Sequence, residues 1–423
     1  MRILILGSGG REHTLTWKIA QSPACEALFV APGNSGTGMI ASNIDIEPTD
    51  FNAVIRIVKS EKIDMVVVGP EAPLVLGIHD AIKGIEELKD VAVIGPAKAA
   101  AELEGSKAFA KSFMNRHNIP TAAYATFNKS TVNKGVAFLE TLHSPYVLKA
   151  DGLAAGKGVL IIDDLTEAQN ALRDMLENQT FGEASKTVVI EEFLSGIELS
   201  CFVLTDGNSY KILPMAKDYK RIGEGDTGLN TGGMGAISPV PFVNKEFYDK
   251  VESLIVKPTV EGLKKDQLPY VGVIFIGLIK VGDHPLVIEY NVRFGDPETE
   301  VVIPRIKSDL LDLFLALSRG TLEAYDLEID ERTAATVMLV SGGYPGDYKK
   351  DILISVDNKL DEIHLFHAGT KLKENNLVTS GGRVMALTAF GANHSEATKK
   401  IYGQIDSIQF EGKNYRKDIG FDL

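Results

Sequence analysis

Two oxygen-bearing side chains, Glu289 and Asn291, sit two positions apart in the run 287–292. Residues two apart in a strand point to one face, so both oxygens converge on the same spot. Hard oxygen ligands suit magnesium, which usually keeps substrate phosphates in its shell. Arg293 falls on the same face, and its planar fork can clamp a carboxylate or a phosphate. Asp296 and Glu298 follow after Gly295. Val287 and Ile288 mark the strand's other side as buried, which makes the polar face a cleft wall.

The stretch 152–158 supplies a second set of groups, set between strand-like runs at 146–150 and 159–162. It resembles a Walker A loop, but only three residues separate Gly152 from Gly156. Gly158 stands where Ser or Thr should meet magnesium, and flanking strands contradict the required strand–loop–helix context. A glycine-rich hairpin folded over triphosphate oxygens fits better, with close backbone N–H groups and charge from Lys157. Lys149 ends the preceding strand and adds an ammonium. Glu191, Glu192, Phe193 and Leu194 close another strand, where a carboxylate and backbone groups suit an adenine amino group and ring edge. Glu198 follows at a spacing that reaches a ribose. No Ser/His/Asp or Cys/His arrangement is evident, which suits phosphoryl transfer, a reaction needing positioning and charge neutralisation. These groups point to nucleotide-dependent activation of a carboxylate.

The elements that must position them follow from the apolar pattern. Runs at 3–6, 27–30, 65–68 and 91–94 are each followed by Gly or Pro and separated by helical patterns. That is the signature of a parallel sheet covered on both faces. Ligands then sit at the carboxyl ends of the strands, in the loops 7–12, 32–37 and 69–73. The first loop fails the dinucleotide fingerprint, since Glu12 replaces the third glycine and 31–33 offers no acidic residue for a ribose. A phosphate-binding turn at a helix start, helped by Arg11, fits instead. One helix is expected over 97–117, ended by Asn118-Ile119-Pro120, with a new unit from Thr121. Beyond the glycine cluster 230–235 come a long helical stretch, paired strands at 271–281 and 286–292, and a helix from Asp309 to near Gly320. The final hundred residues read as mixed strands with glycine turns. A chain of 423 residues should hold two to four domains.

A net charge of −13 argues against a nucleic-acid partner, although anionic small substrates would need local basic clefts. Cys25 and Cys201 stand far apart, without metal-ligand spacing, and read as reduced core thiols. No signal peptide or membrane-spanning run is evident, so a cytoplasmic setting is expected.

Taken together the motifs resemble the phosphoribosylamine–glycine ligase (glycinamide ribonucleotide synthetase) family of the ATP-grasp superfamily. The matching stretches are 9–13, 31–34, 69–74, 103–107, 149–158, 230–235, 293–299, 342–346 and 417–420. The resemblance spans the whole chain, and 293–298 is its most specific part. It implies a multidomain α/β and α+β fold: a parallel pre-ATP-grasp domain over 1–103, an ATP-grasp domain over 104–325 with a nucleotide-clamping lobe at about 121–192, and a mixed C-terminal domain over 326–423. It also implies that ATP, glycine and 5-phosphoribosylamine give glycinamide ribonucleotide, ADP and phosphate through a glycyl phosphate. By this pattern Glu289 and Asn291 bind Mg2+ or Mn2+, Lys107, Lys149, Gly152, Gly156, Lys157 and Gly158 hold phosphates, and 191–194 with Glu198 hold adenosine. Arg293 and Asp218 orient glycine. Gly9, Gly10, Arg11, Glu12, Asn34, Pro70, Glu71, Gly232 and Gly233 meet the substrates. A monomer or weak dimer is expected.

Three positions depart from the family pattern: Tyr219 replaces His, Leu229 replaces Pro, and Glu300 replaces Gln. Glu300 is expected either to be solvated or to tune the cation. The strand 273–278 carries no carboxylate, so part of the metal shell must come from phosphates, water or another segment. The competing readings are a sibling ATP-grasp ligase, which 293–298 opposes, and a nucleotide sensor, which the intact Glu289, Asn291, Lys149 and Lys157 oppose.

Overall fold

The computed structural model describes residues 1–153, 158–357 and 360–423, so Gly156 and Lys157 lie outside the described residues. The four leading apolar runs form strands Arg2–Gly7, Ala27–Pro32, Met65–Val68 and Ala92–Ile94. With the short Ser42–Asn43 they make a five-stranded sheet, parallel throughout, whose first strand lies in the centre. Ile3, Leu4, Ile5 and Leu6 are fully buried on both faces, as a sheet covered by helices requires.

The helix expected over 97–117 is two helices, Lys98–Gly105 and Lys107–Arg116. Ser106 breaks them apart in extended geometry and caps the second, accepting a hydrogen bond from the Phe109 amide at 3.0 Å. The Asp151 carboxylate adds to the cap, accepting from the Ala108 amide at 2.7 Å and from the Ser106 hydroxyl at 3.0 Å. Continuous apolar periodicity conceals such a break, because the cap residue simply occupies one position in the run.

A four-stranded antiparallel sheet follows, ordered Tyr124–Asn128, Thr187–Glu192, Tyr146–Ala150 and Val159–Ile162. Helices Val132–Leu139 and Leu165–Glu177 pack on it around a core of its own that includes Leu139, Leu148, Leu172 and Ile190. The next sheet, antiparallel Tyr210–Ile212, Ile197–Thr205, Gly272–Val281 and His284–Asn291, has no separate core. Its Cys201, Ile274 and Ile276 share one cluster with Leu4 and Val66 of the N-terminal sheet. On the other face Phe202 and Phe275 join Ile5, Val30 and Phe314. The long helical stretch is Lys245–Val251 and Lys257–Lys265, joined without interruption by a π-helical turn over Glu252–Val256.

The last large sheet is ordered Lys217–Asp218, Gly235–Ser238, Thr333–Val340, Arg383–Gly391, Ile363–His367. Two of its five strands thus come from before residue 326. Among the described residues, no helix is long and apolar enough to cross a membrane.

Candidate active site

Strand His284–Asn291 brings Glu289 and Asn291 to one cleft wall, as their spacing predicts. Glu289 pairs in register with Gly277, and a Cβ there would come 3.2 Å from its Cγ. The glycine lets the carboxylate lie across the neighbouring strand. Among the described residues Glu289 takes no hydrogen bond or ion pair. Asn291 Oδ1 accepts from Arg293 Nη2 at 3.1 Å, which fixes the amide, since the opposite flip would set donor against donor. Its buried Nδ2 has no partner among the described residues. An unpaired carboxylate and the second lone pair of an amide oxygen fit a hard divalent cation. No group of three His, Cys, Asp or Glu able to hold a metal occurs among the described residues.

Arg293, expected to clamp a substrate carboxylate, already has protein partners. Nη2 meets Glu104 Oε1 at 2.8 Å, and Nε faces Glu71 Oε2 at 3.5 Å. Glu104 also accepts from the Val292 amide at 2.7 Å, so it fixes both the end of the strand and the guanidinium that follows. Nothing in local spacing marks Glu104, because its partners lie nearly two hundred residues away.

On the facing lobe, Lys149 and Glu191 are diagonal neighbours on one face of the antiparallel pair. Their charges meet at 3.0 Å, and Lys111 reaches the other oxygen of Glu191 at 3.0 Å. Glu191 therefore does not offer its carboxylate to an adenine edge, as expected, but lies buried between two ammonium groups. Its neighbour Glu192 points to the opposite face and accepts from the Ala123 amide at 2.8 Å. Phe193, 42% exposed, and the half-buried Leu194 remain at the strand end. Burial lowers the Lys111 pKa to about 8 against the pull of Glu191. Lys107 donates to the Gly152 carbonyl at 3.2 Å, and burial lowers its pKa too. The Ala150 amide and Gly158 carbonyl close the base of the hairpin at 2.7 Å.

A third wall carries Asp218, Lys220, Glu198 and Glu298. Lys220 pairs with the exposed Glu198 at 2.7 Å and lies 3.7 Å from the half-buried Asp218. Burial works against the Lys220 charge, but Asp218, Glu198 and Glu289 outweigh it and hold the pKa well up. Glu298 accepts from the Ser200 hydroxyl at 3.1 Å, and burial, reinforced by Asp218, pushes it up to about 7. Tyr219 is buried, with its hydroxyl on Asp422 at 2.8 Å and the Lys217 ammonium 4.2 Å from its ring centre. The position expected to hold an imidazole is thus a fixed phenol.

The N-terminal loops are more self-contained than expected. Glu12 Oε2 accepts from the Gly9 amide and Oε1 from Arg11 Nε, both at 2.5 Å. Arg11 Nη1 donates to the Phe294 carbonyl at 3.1 Å. Asn34 Oδ1 accepts from the amides of Gly36 and Thr37, while Nδ2 donates to the carbonyls of Ser8 and His367. Glu12 and Asn34, expected to meet substrate, have their polar atoms engaged in shaping loops, as buried groups must. Gly69 makes this packing possible, because a Cβ there would run into Glu12 and the Leu6 carbonyl. The Arg11 amide meets Asp296 Oδ2 at 3.2 Å, so a carboxylate occupies a donor expected to receive phosphate. Pro70 leads into helix Glu71–Leu76, whose first residue faces Arg293. Gly232 donates to the Tyr344 hydroxyl at 3.0 Å, and Gly233, at φ 116°, packs on Pro297.

Glu300 is neither solvated nor at the cation pair. It is wholly buried under Gly10, both oxygens lack a hydrogen-bond partner among the described residues, and burial followed by Asp296 pushes its pKa well up. Burial therefore favours the neutral form of this carboxyl, in a place where the family pattern has an amide.

Three family models match in series: the phosphoribosylglycinamide synthetase N domain over residues 1–104, its ATP-grasp (A) domain over 105–299 and its C domain over 334–422. The chain belongs to the phosphoribosylglycinamide synthetase family. Phosphoribosylamine–glycine ligase of Chlorobaculum tepidum is 46% identical over 427 residues, covering 99% of each chain. The Escherichia coli ligase of the same name is 46% identical over 431 residues, covering 100% of this chain and 98% of its own. The crystal structure of the Thermotoga maritima ligase superposes with a TM-score of 0.86 at 34% identity, covering 99% of this chain and 100% of that one. The family's fold, with its parallel N-terminal sheet and ATP-grasp core, is the one described above.

Proposed function

We propose that this chain joins glycine to 5-phosphoribosylamine at the expense of ATP, giving glycinamide ribonucleotide, ADP and phosphate in purine biosynthesis. The observation that carries this reading is Glu289, without a partner among the described residues, beside Asn291 and Arg293 and within charge range of Lys107, which in turn feels Lys149, in a chain of this family. Glycine's carboxylate is a poor electrophile. Transfer of the γ-phosphoryl group to it makes glycyl phosphate. The amine of phosphoribosylamine then attacks the acyl carbon, the C–O bond to phosphate breaks, and the nitrogen loses a proton.

Lys149 and Lys107 place positive charge where phosphate oxygens gather, and Glu191 with Lys111 keeps Lys149 pointed there. Phe193 and Leu194 offer apolar surface to the adenine. A divalent cation, Mg2+ or Mn2+, held by Glu289 and Asn291 would offset the phosphate charge. Arg293 and Asp218 orient glycine, with Glu71 and Glu104 fixing the guanidinium. The turns at Gly9–Gly10, Pro70 and Gly232–Gly233 border the sugar phosphate, and their shape is set by Glu12, Arg11 and Asn34. We assign the pre-ATP-grasp unit to 1–103, the ATP-grasp unit to 104–325 and the C-terminal unit to 326–423, in a cytoplasmic monomer or weak dimer.

ADP release decides the matter when measured with glycine, with phosphoribosylamine, with both and with neither. Release requiring glycine, and fastest with both, is expected. ADP appearing equally without glycine, or never with both, overturns the reading.

A further inference from the structure

Strand Arg383–Gly391 belongs to the C-terminal sheet, yet its first side chain leaves that sheet. Arg383 Nη1 donates to the carbonyls of Gly232 at 2.5 Å and Asp296 at 2.7 Å, while Nη2 pairs with Asp296 Oδ1 at 2.9 Å. The other oxygen of Asp296 accepts from the Arg11 amide at 3.2 Å. One guanidinium thus ties together the Gly232 cluster, the turn after Arg293 and, through Asp296, the start of the first helix. Burial works against the Arg383 charge, and the carboxylate of Asp296 in the same turn is the largest influence keeping it. The planar fork serves two carbonyls and a carboxylate in fixed directions, which a single ammonium point charge does not fix.

We propose that Arg383 is a positioning residue that holds the turn 293–298 in register with the loops bordering the sugar phosphate. The acyl group formed on one side of the cleft is thereby presented to the amine held on the other. None of the side chains on the nucleotide side, Lys107, Lys149 and Glu191, bonds to the segments Arg383 joins. Loss of Arg383 should therefore disturb acyl transfer to phosphoribosylamine far more than nucleotide binding. Misplacement on the scale of an ångström costs about a hundredfold in rate.

This inference rests on the ligase reading, and the test separates the two. Hydroxylamine is a small nucleophile that needs no sugar site; it displaces phosphate from glycyl phosphate to give a hydroxamate. Glycine-dependent ADP release is measured for wild type, Arg383→Ala and Arg383→Lys, with phosphoribosylamine or hydroxylamine as acceptor. For Arg383→Ala we expect a loss of about a hundredfold with phosphoribosylamine, at least about tenfold greater than with hydroxylamine, and a KM for ATP within about twofold of wild type. Arg383→Lys should recover part of the phosphoribosylamine rate. Equal losses with both acceptors, or no loss, overturn the proposal. Should Arg383→Ala fail to fold, the same ratio in Arg383→Lys decides. Wild type lacking glycine-dependent ADP release would instead overturn the ligase reading.

Discussion

Glu300 and Glu289 show how differently two carboxyl groups behave in one site. Glu300 has a folded pKa raised well above that of an unfolded glutamate, so folding takes up a proton wherever the pH lies between the two. Its contribution is fully present below the unfolded value of about 4.3 and is lost, at about 1.4 kcal/mol per pH unit, as pH rises toward the folded value. Glu300→Gln removes that loss. Thermal melts should show the variant gaining on wild type from pH 5 to pH 8, with little difference near pH 4. A constant offset across that range would mean that Glu300 is ionised in the folded chain. Glu289 is the opposite case, half-buried and open to the cleft. Glu289→Ala should lose nearly all turnover while keeping its melting temperature within a few degrees. Substantial retained ADP release would remove the cation assignment.

At the scale of elements, the break at Ser106 couples the glycine-rich hairpin to a helix. Asp151 opens the hairpin, yet its carboxylate caps helix Lys107–Arg116, and Lys107 reaches back to the Gly152 carbonyl. Asp151→Ala should cost about 1 kcal/mol in urea unfolding, the usual worth of a cap. The KM for ATP should also rise severalfold as Lys107 loses its anchor; an unchanged KM would reduce Asp151 to a simple cap. Strands were the most legible part of the sequence. Apolar runs at 3–6, 65–68 and 146–150 became strands within a residue or so, since alternation and burial are local properties. The pair at Glu289 and Asn291 came together for the same reason. Arg383, Glu104 and Asp151 were not legible, because each acts on partners far off in sequence and no local period records that. Glu191 misled for a related reason. Its position at a strand end is local, but its two lysines arrive from a neighbouring strand and a helix.

The whole molecule divides unevenly. The N-terminal and central sheets share two cores, whereas the lobe at 124–192 has one to itself. Leu172, wholly buried there, should therefore report on the lobe alone. Leu172→Ala is expected to cost about 2–5 kcal/mol, the usual range for such a cavity. Hydrogen exchange should rise across 124–192 and stay unchanged in strands Arg2–Gly7 and Gly272–Val281. Exchange rising equally everywhere would show that the lobe unfolds only with the rest.

The sheet that draws Gly235–Ser238 against Thr333–Val340 has a consequence for how the chain is made. On a ribosome the earlier strand emerges roughly a hundred residues before its partner, a delay of about 5–20 s at ordinary elongation rates. Until then its edge has no neighbour on that side, and the Gly232 and Asp296 carbonyls wait longer still for the guanidinium of Arg383. Completion of the catalytic cleft must wait for translation of a segment that contributes little chemistry of its own.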